Sequence, residues 1–482
     1  MWIKKAIRTV PNRLTSARIF ILVVLLTPPA VACYHRVQMD DPYITYRYAR
    51  NLAEGRGFVY NEGERVLGTT APLYAVLLSV PGRIAGNYPL ISALFSGAAL
   101  GALGWLIGRI LADFGENRAG FVAAFLVVLN PYLGDVLGFE LILFQALIFG
   151  AYAAYFSDRP NLAALLLALG TLTRGDGLVP AGLILGHYLW IHRGEAWRPL
   201  LVFAVVVGGW SIYAAWTFGS PFPNTLEAKR AMGASGLWRS LWHGVLYTGR
   251  RYLESSPFFV WFALPALLGV IRIFRLDRRI LLIAGWPLLI FLGYWAMGVP
   301  AAYNYYAGLV PLLMILTALG TASLAGRIAR EWSGWRRHEI RICALLCIPL
   351  LIALLTPTAN LLGREPQPRY RIYRTAGEWL AENTPANASV GMVEIGIVGF
   401  YSDRYIVDVC GLITPTVGPH MAAGDVSWPI RTSRPDFMLL HDPLWASLEG
   451  PIASAPWFRE SYECIRTFDG PRPYRLVVYR KK

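Results

Sequence analysis

Charge is what this sequence lacks. Only 16% of its 482 residues are charged, where an ordinary soluble domain carries about 25%. Acidic residues are the scarcer half, 30 Asp and Glu against 45 Lys and Arg. A chain this poor in charge and 55% hydrophobic is not a conventional soluble enzyme. Cysteine is scarce too: five residues do not make a disulfide scaffold. Cys33, Cys343 and Cys347 lie in apolar runs and read as packing residues. Cys410 and Cys464 fall near the C-terminus and can pair only if that part faces an oxidising compartment. The seven histidines are scattered, no His/Cys cluster has metal-ligand spacing, and no Gly-rich phosphate loop of the Walker kind occurs. Nucleotide-driven chemistry is therefore unsupported.

What is present is a succession of apolar windows from Ala17 to about Thr356, 15–25 residues each, the mark of a polytopic α-helical membrane protein. The net charge of +15 does not point to nucleic acid, because the basic residues cluster beside these windows. Lys4, Lys5, Arg8, Arg13 and Arg18 flank the first; Arg272, Arg275, Arg278 and Arg279 fill one break; Arg327, Arg330, Arg336, Arg337 and Arg341 fill another. The positive-inside rule explains such clusters. It predicts a plasma-membrane protein with a cytoplasmic N-terminus and eleven spans, near 17–35, 88–111, 118–134, 139–156, 161–174, 177–192, 198–218, 257–273, 280–298, 303–326 and 342–357. Residues 69–86, short and holding Arg83, then lie along the surface. The first apolar run ends in "AVAC" at Cys33 and loosely imitates a lipoprotein signal. Its long basic region and Pro28-Pro29 favour an uncleaved span. The division expected is a membrane domain over 1–357, with a first external loop at 36–87, and an extracytoplasmic α/β domain over 358–482. In that tail "YRTAGEWLAENT" has helical periodicity, while "ASVGMVE", "RYIVDV", "PDFMLL", "YECIRTF" and "YRLVVYR" read as strands.

Polar chemistry gathers at the outer span ends. Asp40 and Asp41 sit at the mouth of the first span, where helix capping accounts for one acid more readily than for two. Glu140, with Asp135 nearby, opens another span; "LTRGDGL" sets Arg174 and Asp176 in a short turn; "FGSPFPNTLEAKR" brings Asn224, Lys229 and Arg230 into a loop with five basic residues against two acids. Capping, proline turns and snorkelling cations explain each one alone. Together they suit transfer of a sugar from a lipid-linked phosphate. A carboxylate removes the acceptor's proton, cations neutralise the leaving phosphate, and a single displacement inverts the anomeric carbon. Tyr303, Tyr305 and Tyr306 either stack on a sugar or belong to an aromatic belt. Hard oxygen ligands at Asp40, Asp41 and Glu140 also suit a divalent cation, although no cofactor is firmly implied. A transporter or flippase of a lipid-linked anion is the alternative; it would carry mid-span charges and inverted repeats, and neither is seen.

The stretch "DDPYITYRYARNLAEGRGFVYNEGERVLGTTAPLY" resembles the first external loop of the bacterial GT-C glycosyltransferases, nearest the arabinofuranosyltransferase-like branch. "GFELILFQAL", "LTRGDGL" and "PFPNTLEAK" are similar to that branch's G-x-E-T-x-L-F, L-T-R-P-[DE]-G and P-x-P-N-T-x-x-x-K. The resemblance implies a polyprenyl-monophosphate sugar donor, with arabinofuranose the first sugar to consider, and an envelope glycan, lipid or protein acceptor. It implies Asp40 or Asp41 as general base, Asp40 preferred, and Glu140 as a second functional acid. Arg174, Lys229 and Arg230 are implied around the donor phosphate, and Tyr43, Arg47, Asp176, Asn224 and Tyr305 around the substrates. Ile142 and Gly175 stand where the branch has Thr and Pro.

Overall fold

The computed structural model describes residues 39–194, 196–331, 338–362, 368–470 and 473–482, with Arg18, Phe20, Ile21, Leu26 and Thr27. Most of the first span expected at 17–35, most of its basic flank, Cys33, His35, Arg336 and Arg337 lie outside the described residues.

Helix α1 (Pro42–Ala53) starts with Pro42 in its first turn, where a missing N–H costs nothing, and stops before Gly55 at φ +81°. Helix α2 (Pro72–Ala85) has 14 residues. It rises about 21 Å and is too short to cross a hydrocarbon layer of about 30 Å. The bundle follows as α3 (Tyr88–Asp113), α4 (Asn117–Val128), α5 (Leu141–Phe156), α6 (Pro160–Thr173), α7 (Leu178–Ile191) and α8 (Trp197–Phe218). An outer pair, α9 (Asn224–Ala234) and α10 (Leu241–Ser255), leads to α11 (Ala263–Ile273), α12 (Leu281–Ala296), α13 (Leu309–Glu331) and α14 (Glu339–Leu362).

Helices thus stand at the apolar windows, but their lengths do not give eleven full crossings. Among the described residues five helical segments are long and apolar enough to span: α3, α8, α12 with the turn before it (Arg278–Ala296), α13 with the turn before it (Tyr303–Glu331), and α14. A sixth exists if α10 and the segment Pro257–Ile273, bent by 117°, form one broken span. Helices α5, α6 and α7 have only 14–16 residues, about 21–24 Å. The apolar runs that encode them are cut by Pro160 and by the "RGDG" turn. Proline and that turn end helices that hydropathy alone would extend.

The tail begins with α15 (Pro368–Asn383) and holds five strands: β1 (Ser389–Met392), β2 (Tyr405–Asp408), β3 (Phe437–Asp442), β4 (Tyr462–Asp469) and β5 (Arg475–Lys481). Helix α16 (Gly396–Ser402) connects β1 to β2. The sheet order is β2-β1-β3-β5-β4, parallel from β2 to β3 and antiparallel beyond. Cys410 follows one edge strand and Cys464 lies on the other, and both are free thiols, so the pairing considered from sequence does not form.

First loop and tail share one apolar core. Tyr43, Tyr46, Tyr48, Tyr60 and Tyr74 pack in the same cluster as Ile372, Leu380, Val390, Ile397 and Phe400. Helix α9 joins a second cluster through Ala231 and Met232 against Val409, Val417 and Met421. The sheet is therefore set firmly over the end of the bundle that carries the first loop.

Candidate functional site

The two adjacent aspartates do different things. Asp41 stands at the N-terminus of α1 yet caps nothing with its side chain, and it is exposed. Asp40 reaches across to the tail: its Oδ2 accepts the Gly396 N–H at 2.7 Å and its Oδ1 the Ile397 N–H at 2.6 Å. Burial, followed by the nearby Glu394 carboxylate, holds Asp40 well above the usual carboxylate range. Asp40 clamps tail to loop and leaves Asp41 facing outward.

Glu140 likewise does not cap its helix. It is buried and accepts from Arg174 Nη1 at 2.6 Å. Arg174 also donates from Nε to Asp176 at 2.9 Å and from Nη2 to the Tyr294 hydroxyl at 3.2 Å, and that hydroxyl donates to Asp176 at 2.6 Å. The guanidinium is the hub of a closed ion cluster. A paired, hydrogen-bonded charge is the form in which buried ions are tolerated.

Lys229 of α9 is different. Its ammonium lies 5.0 Å from the centroid of the Tyr305 ring, which itself packs 4.5 Å from Tyr294. Burial opposes its charge, but Tyr305 and Asp41 outweigh that and hold the ammonium above its ordinary range. Among the described residues no carboxylate is in ion-pair contact with Lys229. The other basic residues of its loop are used elsewhere or point away: Arg239 covers Tyr247, Arg250 pairs with Glu254, and Arg251 approaches Asp135. Arg230, one step of about 100° around the helix, is exposed, and so does not join Lys229.

Three residues assigned to substrate from sequence hold the fold instead. Arg47 is buried and donates to the carbonyls of Gly399 at 2.9 Å and Arg404 at 2.7 Å. Tyr43 is enclosed by Tyr46, Phe400 and Tyr401. Asn224 donates to the carbonyls of Gly411 and Leu412. Tyr303 stacks on Tyr132, and Tyr306 donates to Leu241, so of the three tyrosines only Tyr305 borders the site.

A cluster from the tail went unnoticed in the sequence. Glu394, just past β1, is pushed up chiefly by burial and accepts from the Tyr373 hydroxyl. That hydroxyl also meets His441 Nε2, and His441 Nδ1 pairs at 2.6 Å with the fully buried Glu449. These groups lie at the carboxyl ends of β1 and β3, where connections leave to opposite sides, the place where α/β sheets hold ligands. The sequence signal was an acidic residue at or just past the end of each parallel strand: Glu394, Asp408 and Asp442.

The residues suggested for a divalent cation do not fit one. Both Asp40 oxygens are engaged by N–H groups and Glu140 by Arg174, and no group of three or more possible ligands converges among the described residues.

Comparison with solved structures places this arrangement. ArnT from Cupriavidus metallidurans, in the crystal structure bound to undecaprenyl phosphate, superposes with a TM-score of 0.55 over 96% of this chain and 97% of its own, at 14% identity. Mycobacterial arabinofuranosyltransferase AftD gives 0.51 over 95% of this chain and 40% of its own, also at 14% identity. The fold is GT-C. At these identities the likeness concerns the fold alone, and the GT-C frame covers bundle and tail together. A curated relative, the terminal beta-(1->2)-arabinofuranosyltransferase of Mycobacterium tuberculosis (strain ATCC 25618 / H37Rv), is 27% identical over 261 residues, 48% of this chain. The match spans only 39% of that protein's length. Residues 361–479, in the tail, match a family described as a domain of unknown function (DUF8728).

Proposed function

We propose that this chain is an inverting glycosyltransferase. It moves a sugar from a polyprenyl-monophosphate donor to an envelope glycan, lipid or protein acceptor at the outer face of the plasma membrane. The observation that carries this reading is the Lys229 ammonium, set against Tyr305 with no carboxylate in ion-pair contact among the described residues and within the field of exposed Asp41, backed by the Glu140–Arg174–Asp176 cluster. The GT-C fold, shared with a protein solved with undecaprenyl phosphate, supports it. Arabinofuranose is the first donor sugar to test, given the curated relative.

Asp41 removes the proton from the acceptor hydroxyl as its oxygen attacks the anomeric carbon. The bond from that carbon to the phosphate oxygen breaks on the opposite face, and polyprenyl phosphate departs. Lys229 neutralises the charge gathering on the phosphate, in a setting where neighbouring buried groups strengthen its field. Arg174 fixes Glu140 and Asp176 beside it without touching the phosphate. The N-terminus and the Arg-rich breaks lie in the cytoplasm, and residues 358–482 cover the site from outside.

The test is release of polyprenyl phosphate by purified protein in lipid, over a panel of polyprenyl-phosphate sugars and glycan acceptors. Asp41→Asn should lower turnover by about 10²–10⁴ with one of the sugars. Unchanged turnover would end the assignment of the base. Silence of the native protein across the panel, with polyprenyl phosphate still bound, would end the transferase reading.

A further inference from the structure

A cavity of about 550 Å³ opens at the end of the bundle away from Asp41. Helix α3 sets the separation: it begins at Tyr88, which packs with the first loop and tail, and runs 26 residues to Asp113, beside the cavity. That is a rise of about 39 Å. The cavity is walled by the α3–α4 connection, the end of α11, the end of α13 and the start of α14.

Five arginines line it, Arg118, Arg272, Arg275, Arg327 and Arg330, against two glutamates, Glu116 and Glu339. Both acids are spent. Glu116 accepts from Arg272 Nε at 2.9 Å, and Glu339 pairs with Arg118. Arg275, Arg327 and Arg330 have no carboxylate in ion-pair contact among the described residues. The positive-inside rule accounts for cations at this face, but it does not require that they converge. Here three of them, Arg327 and Arg330 from α13 and Arg275 from the turn after α11, face one concavity, with Ala322, Ser323 and Gly326 leaving room on the α13 wall. The amino ends of α4 and α14 meet the same space and add N–H donors.

The rim says where the ligand comes from. On α11 and just after it Ile271 and Phe274 are 44% and 68% exposed; on α14 Ile340 and Leu345 are 72% and 58% exposed. A collar of bare aliphatic and aromatic side chains beside a basic hollow suits a molecule with a phosphate head and acyl chains. Basic pockets between transmembrane helices on the cytoplasmic side are known lipid-headgroup sites. We propose that this cavity binds the headgroup of an anionic phospholipid from the leaflet opposite the candidate active site. The phosphate lies between Arg275, Arg327 and Arg330, and the chains run down α11 and α14.

The experiment uses the full chain, delipidated in neutral detergent, and reads lipid binding by native mass spectrometry and by thermal shift. Probes are phosphatidylglycerol, phosphatidylcholine and inorganic phosphate. Phosphatidylglycerol should bind and stabilise, phosphatidylcholine should not, and millimolar inorganic phosphate should neither stabilise nor displace the lipid. The triple variant Arg275→Gln, Arg327→Gln, Arg330→Gln should weaken phosphatidylglycerol at least tenfold. The triple lysine variant should keep most of the binding, which separates charge from a folding defect. Equal binding of the two lipids, unaltered affinity in the glutamine variant, or equal loss in both variants overturns the proposal. Full displacement by inorganic phosphate overturns the lipid as the source.

Discussion

Replacing Asp40 by asparagine removes one acceptor from a carboxylate that now takes two N–H groups, from Gly396 and Ile397. The amide oxygen can keep one bond, but its NH2 would confront the other N–H donor to donor. A hydrogen bond to a charged group contributes about 1.5–3 kcal/mol, so the amino end of α16 should open more easily by that amount. At about 1.4 kcal/mol per tenfold, hydrogen-exchange protection across 394–402 falls roughly 10- to 150-fold. Asp41 makes no such contact, so Asp41→Asn should leave this protection unchanged while abolishing most turnover. The two substitutions therefore separate along different readouts. Unaltered protection in Asp40→Asn would refute the clamp. Lost protection in Asp41→Asn would refute the division of labour between the two acids.

Lys229→Met keeps the stem and removes the ammonium; kcat/KM for the donor should fall about 10- to 150-fold, the cost of one charged hydrogen bond, and an unchanged value would exclude Lys229 from the phosphate. Glu394→Gln removes the carboxylate that, after burial, holds Asp40 above its usual range. The acid limb of the rate profile should then move to lower pH, because Asp40 must be ionised to accept both N–H groups. For stability the sign is opposite: a raised carboxyl favours the fold below its unfolded value and loses that contribution as pH rises through the folded one. The glutamine variant should therefore be more stable than native near neutrality in a denaturation series. Gly396→Ala would set a Cβ 1.9 Å from the Asp40 carbonyl oxygen, whereas Gly208 has nothing within 4 Å. Limited proteolysis should cut the tail of the first variant faster and leave Gly208→Ala as native.

The tail's architecture was legible because short runs rich in β-branched and aromatic residues, bounded by turn residues, are local signals: all five expected strands and the helix through Ala376 and Leu380 are present. The residues of the candidate site stood out in the sequence for a related reason. Asp41, Glu140, Arg174 and Lys229 are charges at the ends of apolar runs, where cost makes them conspicuous. Roles that depend on distant partners were not legible. Arg47 and Tyr43 looked available, but their partners, Gly399, Phe400 and Arg404, come some 350 residues later. Glu394 and Tyr373 looked like ordinary tail residues for the same reason. Helix lengths were less legible, because hydropathy runs on through residues where Pro160 and the "RGDG" turn end the helix.

The clamp between Asp40 and α16 also has a consequence for when the molecule becomes competent. Its partners are separated by 356 and 357 positions in the chain. At synthesis rates of about 5–20 residues per second, on the order of 20–70 s pass between the emergence of the acid pair and that of its clamp. Through that interval the early helices can enter the membrane while Asp40 lacks its partners and Tyr60, whose hydroxyl later donates to the Ile395 carbonyl, lacks its own. A chain halted before Gly396 would keep the bundle with an unassembled outer mouth. On the function proposed above, the site is assembled only once residues through Ile397 have been made.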